Sequence, residues 1–204
     1  MQYNVSNGDL TEQLFLENLK SDTAPMHRAL EQTALSIDLM SPDVSRGQYT
    51  QYLRAMCGVI AFTESAIFPL VERVVPHLSK RKKLPALVAD IRALTGAGKE
   101  ETTSFKPFSL PVSENFALGF MYVIEGSTLG GRVILRHLQS RPFFSEHDAS
   151  EFFAGYGAET GSLWKSFLAA LSAHAVREGA QQEIIEGAMA GFESIRNYFT
   201  EMKP

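Results

Sequence analysis

The sequence lacks the features that define several protein classes. Its 204 residues include one cysteine, Cys57, which excludes an intramolecular disulfide and a multi-thiolate metal site. The longest stretch without Asp, Glu, Lys or Arg is residues 166–176, shorter than the ~20 apolar residues of a membrane helix. The first ten residues carry Asp9 and no Lys or Arg, unlike a secretory signal. We therefore expect a soluble, cytoplasmic protein without a membrane span.

Basic charge is also not in excess. Nineteen Lys and Arg stand against 23 Asp and Glu, for a formal net charge of −4, whereas nucleic-acid-binding proteins usually show a basic surplus. Hydrophobic residues make up 45% of the chain and charged residues 21%, which is ordinary for a globular protein with a sizeable core. No linker or repeat divides the chain, so we expect one domain spanning residues 1–204.

Helical periodicity dominates the sequence, and the alternation typical of β-strands is scarce. Thr23 or Asp22 is expected to cap a short helix with Pro25 in its first turn, and Pro69 is expected to kink a later one. The predicted fold is an all-α bundle of six to eight helices with a long loop at 96–111. Its helices are one or two short ones before residue 40, then about 45–75, 85–94, 113–139, 149–173 and 180–202.

The central predicted helix contains an unusual number of glycines. Each interior glycine costs ~1 kcal/mol relative to alanine, and there are four: Gly119, Gly126, Gly130 and Gly131. At about 100° per residue, all but the last lie within about 40° of one another. One face of the helix therefore lacks side chains, and either a neighbouring helix or a flat ligand must approach it. The Gly130–Gly131 doublet favours a kink over a simple packing groove.

His27 and Glu31 are four residues apart and share a face of the first helical region. The carboxylate can accept the Nδ1 proton of the imidazole and leave Nε2 free to bind a metal. The alternative is an exposed pair without function. The basic run at residues 80–83 is expected to be a solvated surface, with docking of an acidic partner as the alternative. Cys57 lies in an apolar segment that favours an inert buried thiol.

Two segments carry a family resemblance. Residues 19–31, LKSDTAPMHRALE, and residues 122–134, YVIEGSTLGGRVI, resemble the proximal and distal segments of the haem oxygenases, in particular the bacterial, bacteriophytochrome-associated, biliverdin-producing branch. They occur in the expected order about a hundred residues apart, and the resemblance extends over nearly the whole chain. It implies a haem-oxygenase-like all-α fold with haem between a proximal helix and a kinked, glycine-rich distal helix.

The resemblance also implies roles for individual residues. His27 is expected to be the axial ligand of haem iron, Glu31 to orient its ring, and Lys20 to contact a propionate. The backbone at Gly126, Gly130 and Gly131 is expected to close over the porphyrin. Ser127 stands where some members carry an aspartate that organises water, so the water must be held by Ser127, by backbone carbonyls or by a more distant side chain. Further candidates for the propionates are Lys165, Arg136 and Arg132.

The implied reaction uses haem b as both cofactor and substrate. With O₂ and seven electrons it yields biliverdin, CO and ferrous iron, and haem carries the oxidative chemistry. The chain has no flavin or nicotinamide motif, so a reductase or ferredoxin is expected to supply the electrons, and a bacteriophytochrome or another acceptor to take the biliverdin. Two alternatives are a non-catalytic haem-binding or haem-delivery protein and a thiaminase-like relative, which would need a nucleophile that Cys57 fits poorly.

Overall fold

The computed structural model describes residues 7–96, 104–109 and 111–202, and within these ranges it contains helices and no strand. The predicted all-α class is confirmed. Six long α-helices and four of one or two turns lie in these ranges, where six to eight helices were expected. They are α1 (Asn7–Glu31), α2 (Ala34–Leu39), α3 (Arg46–Phe62), α4 (Phe68–Val71), α5 (Leu84–Thr95), α6 (Glu114–Gln139), α7 (Pro142–His147), α8 (Glu151–Ala154), α9 (Thr160–Glu178) and α10 (Gln181–Glu201).

The first helical region is one long helix rather than short pieces. α1 continues through Pro25, and Thr23 is buried inside it, where its Oγ1 donates to the carbonyl of Leu19 at 2.7 Å. The expected cap at Thr23 or Asp22 is therefore wrong. Proline removes one backbone hydrogen bond from a helix interior, but α1 packs on both α9 and α10. This packing holds the helix together across the proline.

The second long helix begins as expected and ends differently. Ser45 and Gln48 form a reciprocal capping box at the start of α3, which satisfies two backbone donors. A π-helical turn at Thr63–Ile67 then precedes α4, so the irregularity lies before Pro69 rather than at it. Proline is tolerated there because it occupies the first turn of α4.

The stretch Arg46–Val71 is long and apolar enough to cross a membrane by length and composition alone. More than half of its most apolar window, 56%, is buried inside the protein. Leu53 and Val59 on α3 are fully buried, as is Ile67 in the π-helical turn. Burial of this kind is what the central helix of a globular core shows, and the stretch forms part of that core.

The boundaries of α5 and α6 follow their capping residues. Pro85 lies in the first turn of α5, and Gly96, with φ of 69°, ends it. The hydroxyl of Ser113 accepts from the backbone N–H of Phe116 at 3.0 Å and caps α6, as predicted. Of the long loop predicted at 96–111, residues 104–109 lie outside any helix, whereas 97–103 and 110 lie outside the described residues.

One predicted helix, residues 149–173, is divided in two. α8 ends at Ala154, and α9 begins only at Thr160. Gly155 and Gly157 between them have φ of 59° and 56°, a left-handed conformation that other residues rarely adopt. This turn interrupts the periodicity. The last helix, α10, lies within two residues of its expected bounds.

α6 lies at the centre of the bundle and packs along α10 at very short range. A Cβ placed on Gly119 would lie 2.6 Å from the backbone nitrogen of Ala188, and one on Gly187 would lie 2.8 Å from the carbonyl carbon of Phe116. The two backbones can approach this closely only because both positions are glycine. At Gly119 the missing side chain therefore serves helix packing.

Candidate functional site

A large cavity lies between α1 and the second half of α6. Its volume is about 1370 Å³, above the ~300–1,000 Å³ of ordinary small-molecule sites. The segment around α2 contributes to the remaining wall, and so do apolar side chains from α3, α9 and α10, including Met56, Trp164, Leu168, Phe192 and Phe199. The cavity can therefore enclose a large, mostly apolar ligand together with water.

The α1 wall carries a histidine and its carboxylate partner. His27 and Glu31 both line the cavity, and His27 Nδ1 lies 3.5 Å from Glu31 Oε2. The imidazole is about half exposed, 56%, and its edge packs on the ring of Phe192 at 5.6 Å between centroids. With Nδ1 directed towards the carboxylate, Nε2 is the nitrogen available to a metal. Lys20 lines the same wall.

The α6 wall exposes backbone where a side chain would normally stand. A Cβ on Gly130 would meet nothing within 4 Å, and one on Gly126 would meet only the ring of Trp164, at 3.7 Å. Both glycines line the cavity. The flat-ligand interpretation of the glycine stripe therefore fits these two positions, although it does not fit Gly119.

Gly131 differs from its neighbour although it also borders the cavity. A Cβ on Gly131 would lie 2.8 Å from the carbonyl oxygen of Phe153. Its missing side chain thus accommodates the segment of α8, while its backbone still borders the cavity. Phe153 itself lines the cavity, so Gly131 affects the cavity through the position of this ring.

Ser127 occupies an exposed position at the cavity edge. Its hydroxyl donates to the carbonyl of Ile124 at 2.7 Å, the local back-bonding that serine often makes in helices. The hydroxyl proton is therefore engaged, and its oxygen lone pairs are what it can offer to a water molecule.

The other predicted cations do not lie on the cavity wall. Lys165 and Arg136 are exposed, and Arg132 donates to the carbonyl of Gly157 at 2.8 Å. Lys165 is absent from the wall because of the way α9 is rotated about its axis. Trp164 and Leu168, four residues apart, face the cavity, and Lys165 lies about 100° around the helix from Trp164. Of the predicted cations, Lys20 is the one that the structure places on the wall.

Two further described histidines have structural partners that explain them. His137 Nε2 lies 3.0 Å from the carbonyl of Ser41, and His174 Nε2 lies 2.8 Å from Asn115 Oδ1. Cys57 is buried on α3 and does not line the cavity. Neither the two histidines nor Cys57 offers the combination that His27 has, a ring nitrogen at the cavity and a carboxylate on the other side of the ring.

The basic run at 80–83 is not the solvated surface that its sequence indicates. Lys80 and Lys82 are exposed, but Arg81 and Lys83 are buried. Arg81 forms an ion pair with Glu125 of α6, both side chains being almost fully buried. One signal could have revealed this pair: Glu125 interrupts the apolar stretch that begins at residue 116, and a carboxylate in a buried helix needs a cationic partner.

This ionic cluster lies directly beside the glycine segment of α6. Tyr156 donates to Glu125 Oε1 at 2.7 Å, and the pKa of its hydroxyl is raised by burial and then by the charge of Glu125. Lys83 lines the cavity, and burial lowers the pKa of its ammonium to about 8, partly opposed by Glu125 and Glu64. The cluster fixes the backbone just before Gly126.

The residues present fit a haem. A porphyrin is flat and apolar and carries two carboxylates, and the cavity provides bare backbone at Gly126 and Gly130, apolar walls, and Lys20. Haem iron accepts an imidazole nitrogen, and His27 presents one with its other nitrogen directed to Glu31. The donor set and the shape of the cavity therefore agree.

Comparison with known proteins gives matches in the sequence. A family model described as heme oxygenase matches residues 13–201. A heme oxygenase of Xanthomonas campestris pv. campestris (strain 8004) is 36% identical over 146 residues, which cover 71% of this chain and 84% of that protein.

Solved structures also resemble the fold. The heme oxygenase of Neisseria meningitidis, studied with NO and CO bound, matches with a TM-score of 0.69 at 25% identity, covering 92% of this chain and 91% of that one. The heme oxygenase of Leptospira interrogans matches with a TM-score of 0.71 at 17% identity, over 92% and 98% of the two chains. Heme oxygenase-1 of Synechocystis sp. PCC6803, in complex with heme, matches with a TM-score of 0.73 at 14% identity, over 93% and 92%. The last two likenesses concern the fold alone.

Proposed function

Because this chain belongs to the haem oxygenase family, we propose that the cavity between α1 and α6 is its haem site. The protein is an enzyme that cleaves haem, its substrate, to biliverdin, CO and ferrous iron in an oxygen-dependent reaction. One observation carries the assignment of the site: His27 and the bare backbone of Gly126 and Gly130 line a single large cavity. We further propose that residues 1–204 act as one domain.

Nε2 of His27 would hold the iron of the bound haem. Its Nδ1 lies 3.5 Å from Glu31 Oε2, slightly longer than a hydrogen bond. A small closure of this pair would let the carboxylate accept the Nδ1 proton, orient the ring and increase its basicity. The bound haem supplies the iron at which O₂ is activated. The protein supplies position, exclusion of bulk solvent and control of protons.

Gly126 and Gly130 allow the α6 backbone to lie against one face of the porphyrin, because no side chain separates them from the cavity. This close approach would leave room for a small molecule between the bound haem and the α6 backbone and for little else. Ser127 offers its hydroxyl oxygen to water at the cavity edge. Gly131 contributes by allowing Phe153 to reach the cavity wall.

Lys20 is the cation for a propionate of the bound haem. It lies on the same wall as His27, seven residues or about two helical turns away. Its exposed ammonium can meet a carboxylate at the cavity mouth without a large desolvation cost. Because propionate contacts fix how the macrocycle is rotated, Lys20 contributes to the choice of the meso carbon that is attacked.

The electrons come from a separate reductase or ferredoxin, since the sequence carries no nucleotide-binding motif. The haem is haem b, and the protein acts in the cytoplasm. The biliverdin passes to an acceptor such as a bacteriophytochrome. The haem type and the acceptor rest on the resemblance of the proximal and distal segments to the bacterial branch of the family, whereas the location rests on the composition of the chain.

Single-turnover and steady-state assays test the proposal. The protein is mixed with hemin, NADPH, a reductase and catalase, which removes free peroxide that would degrade haem without the enzyme. We expect stoichiometric biliverdin and CO, detected by chromatography and by trapping with deoxymyoglobin. Stoichiometric hemin binding without biliverdin would instead identify a haem carrier and overturn the assignment of this cavity as a catalytic site.

A further inference from the structure

Lys83 is a buried lysine at the cavity wall to which the family resemblance gave no role. It belongs to the segment just before α5, is 5% exposed, and lines the haem cavity. Its Nζ donates to the carbonyl of Ile124 at 3.2 Å. Ile124 lies two residues before Gly126, so Lys83 contacts α6 directly next to the segment proposed to cover the haem.

The position of Lys83 is fixed by its own backbone. Glu64 Oε1, from the π-helical turn, accepts the N–H of Lys83 at 2.7 Å and that of Leu84 at 2.8 Å. This carboxylate therefore holds the start of α5 in place and keeps the lysine stem directed towards α6. A side chain anchored in this way can hold its Nζ at one point, which a surface lysine does not.

Three charged side chains lie close enough to the Lys83 ammonium to affect its pKa. Glu64 lies on one side, and Arg81 and Glu125 form their own buried ion pair nearby. The ring of Tyr156 lies 5.2 Å from Nζ, a distance suited to a cation–π contact, while its hydroxyl is directed to Glu125. No carboxylate of the described residues bonds to Nζ itself.

The ammonium has more donors than the protein satisfies. It carries three N–H bonds, and the carbonyl of Ile124 is its single hydrogen-bond acceptor among the described residues. The aromatic face of Tyr156 partly compensates the positive charge through a cation–π contact. A buried polar group bordering a roomy cavity completes its hydrogen bonds with water, so water inside the cavity can accept from the remaining donors.

We propose that Lys83 is the positioning residue that anchors water beside the Ile124–Ser127 turn of α6 and delivers protons through it. The proposal rests on the assignment of this cavity as the haem site. Ser127 and Lys83 both donate to the carbonyl of Ile124, so one water can accept from Nζ and from the solvent network while donating to the Ser127 oxygen. The second hydrogen of this water can then be donated into the cavity, so that a proton given up by Nζ passes through the water to the bound substrate. A proton accepted from the solvent network returns Nζ to the ammonium form, and Lys83 ends each cycle unchanged.

The acidity of the group suits this role. Desolvation lowers the pKa of the Lys83 ammonium from 10.5 to about 8, close to the pH at which an efficient proton donor operates. Ser127, which stands where some family members carry an aspartate, has no ionisable proton of this kind. A buried lysine reaching the same turn from another element can therefore replace an acidic residue on the helix itself.

The first test uses the protein without haem and so is independent of activity. Between pH 8 and 10.5 the unfolded chain holds the lysine proton that the folded protein releases, so this group makes stability rise with pH across that window. Chemical denaturation of wild type, Lys83→Met and Lys82→Met should show the rise in wild type and in Lys82→Met, whose side chain is exposed. Equal pH dependence in wild type and Lys83→Met would contradict a buried titrating lysine.

The second test uses the hemin complex. Lys83→Met should bind hemin with wild-type affinity, which leaves the proposed site intact, while the pH midpoint of its ferric spectrum moves up by about 0.5 to 1 pH unit because a nearby cation is lost. Turnover at pH 7 should fall about 10- to 100-fold. Lys83→Arg should keep the wild-type midpoint and lose turnover, because arginine keeps the positive charge but does not release its proton. This variant replaces Lys83→Met in the experiment if the methionine variant does not fold.

The outcomes separate the two proposals. Wild-type protein that binds no hemin would overturn the assignment of the haem site, whereas the burial of Lys83 would still be tested by the stability measurement. Normal hemin binding with an unchanged spectral midpoint and unchanged turnover in Lys83→Met would overturn the role of Lys83 and leave the haem site standing. Lys82→Met should behave like wild type in each measurement.

Discussion

The two halves of α6 use glycine for opposite reasons. Gly119 and Gly130 are eleven residues apart on the same stripe of one helix. A methyl group at Gly119 would enter the backbone of α10, whereas one at Gly130 would meet nothing within 4 Å. The first half of the helix is locked into the bundle, and the second half is left bare towards a cavity. A glycine stripe is therefore not one motif, and each position must be judged by what approaches it.

The energetics differ in the same way. A glycine inside a helix costs ~1 kcal/mol relative to alanine. At Gly119 the close packing of α10, with Gly187 on the opposing helix, offsets this cost with dispersion contacts. At Gly130 no described atom packs into the space that the missing side chain leaves. The cost there is offset only when a ligand occupies the cavity, which is why the bare segment is assigned to function.

The largest effect is expected from Gly119→Ala. The added methyl group would lie 2.6 Å from the Ala188 nitrogen and still closer to the carbonyl of Ile184, and backbone atoms cannot move aside without separating α6 from α10. We expect a loss of about 3 kcal/mol or more in the free energy of unfolding of the apoprotein. Urea denaturation measures it, and a stability within about 1 kcal/mol of wild type would contradict the packing of this half of the helix.

A smaller loss is expected from Gly131→Ala. Its methyl group would lie 2.8 Å from the Phe153 carbonyl, which belongs to the short helix α8 and can move more easily than α10. We expect a loss of about 1–3 kcal/mol, together with weaker hemin binding because Phe153 lines the cavity. Denaturation combined with hemin titration checks both effects. A variant as stable as Gly130→Ala would show that Gly131 faces the ligand after all.

Gly130→Ala should have the opposite effect on the apoprotein. With open space around the methyl group, we expect a gain of up to about 1 kcal/mol from helix propensity, while biliverdin formation falls about tenfold or more because the methyl group displaces the reacting centre. Gly126→Ala, which would contact Trp164 at 3.7 Å, an ordinary van der Waals distance, should be about as stable as this variant and equally impaired.

Gly161→Ala provides the matched control for Gly130→Ala. Gly161 lies at the start of α9 and is exposed, and a methyl group added there would have nothing within 4 Å. It does not line the cavity. We expect this variant to keep or slightly gain stability with unchanged haem turnover. A Gly130→Ala protein that forms biliverdin at the wild-type rate would remove Gly130 from the haem site.

The parts of the molecule that depend on local sequence were predictable. The cap at Ser113 follows from chain-local hydrogen bonding, and the His27–Glu31 pair follows from helical spacing. The interruption between α8 and α9 was missed because the apolar pattern continues on both sides of Gly155 and Gly157. The continuity of α1 through Pro25 depends on packing against α9 and α10, which no local pattern reports.

The site was predictable only where one helix supplied it. The burial of Lys83 depends on the contact of its segment with α6, and a basic run looks the same whether its side chains are buried or solvated. The position of Lys165 depends on the rotation of α9 about its axis. The separate roles of Gly119, Gly130 and Gly131 depend on which neighbour lies opposite each. These are tertiary properties, and a single sequence does not encode them as a local pattern.

Optical titration of hemin into wild type and His27→Ala tests the central claim most directly, that the cavity between α1 and the bare half of α6 holds haem through His27. We expect wild type to bind one hemin per chain with the spectrum of a histidine-ligated haem. His27→Ala should lose that spectrum and recover it in part when imidazole is added. A His27→Ala protein that binds hemin with the wild-type spectrum and affinity would contradict the claim.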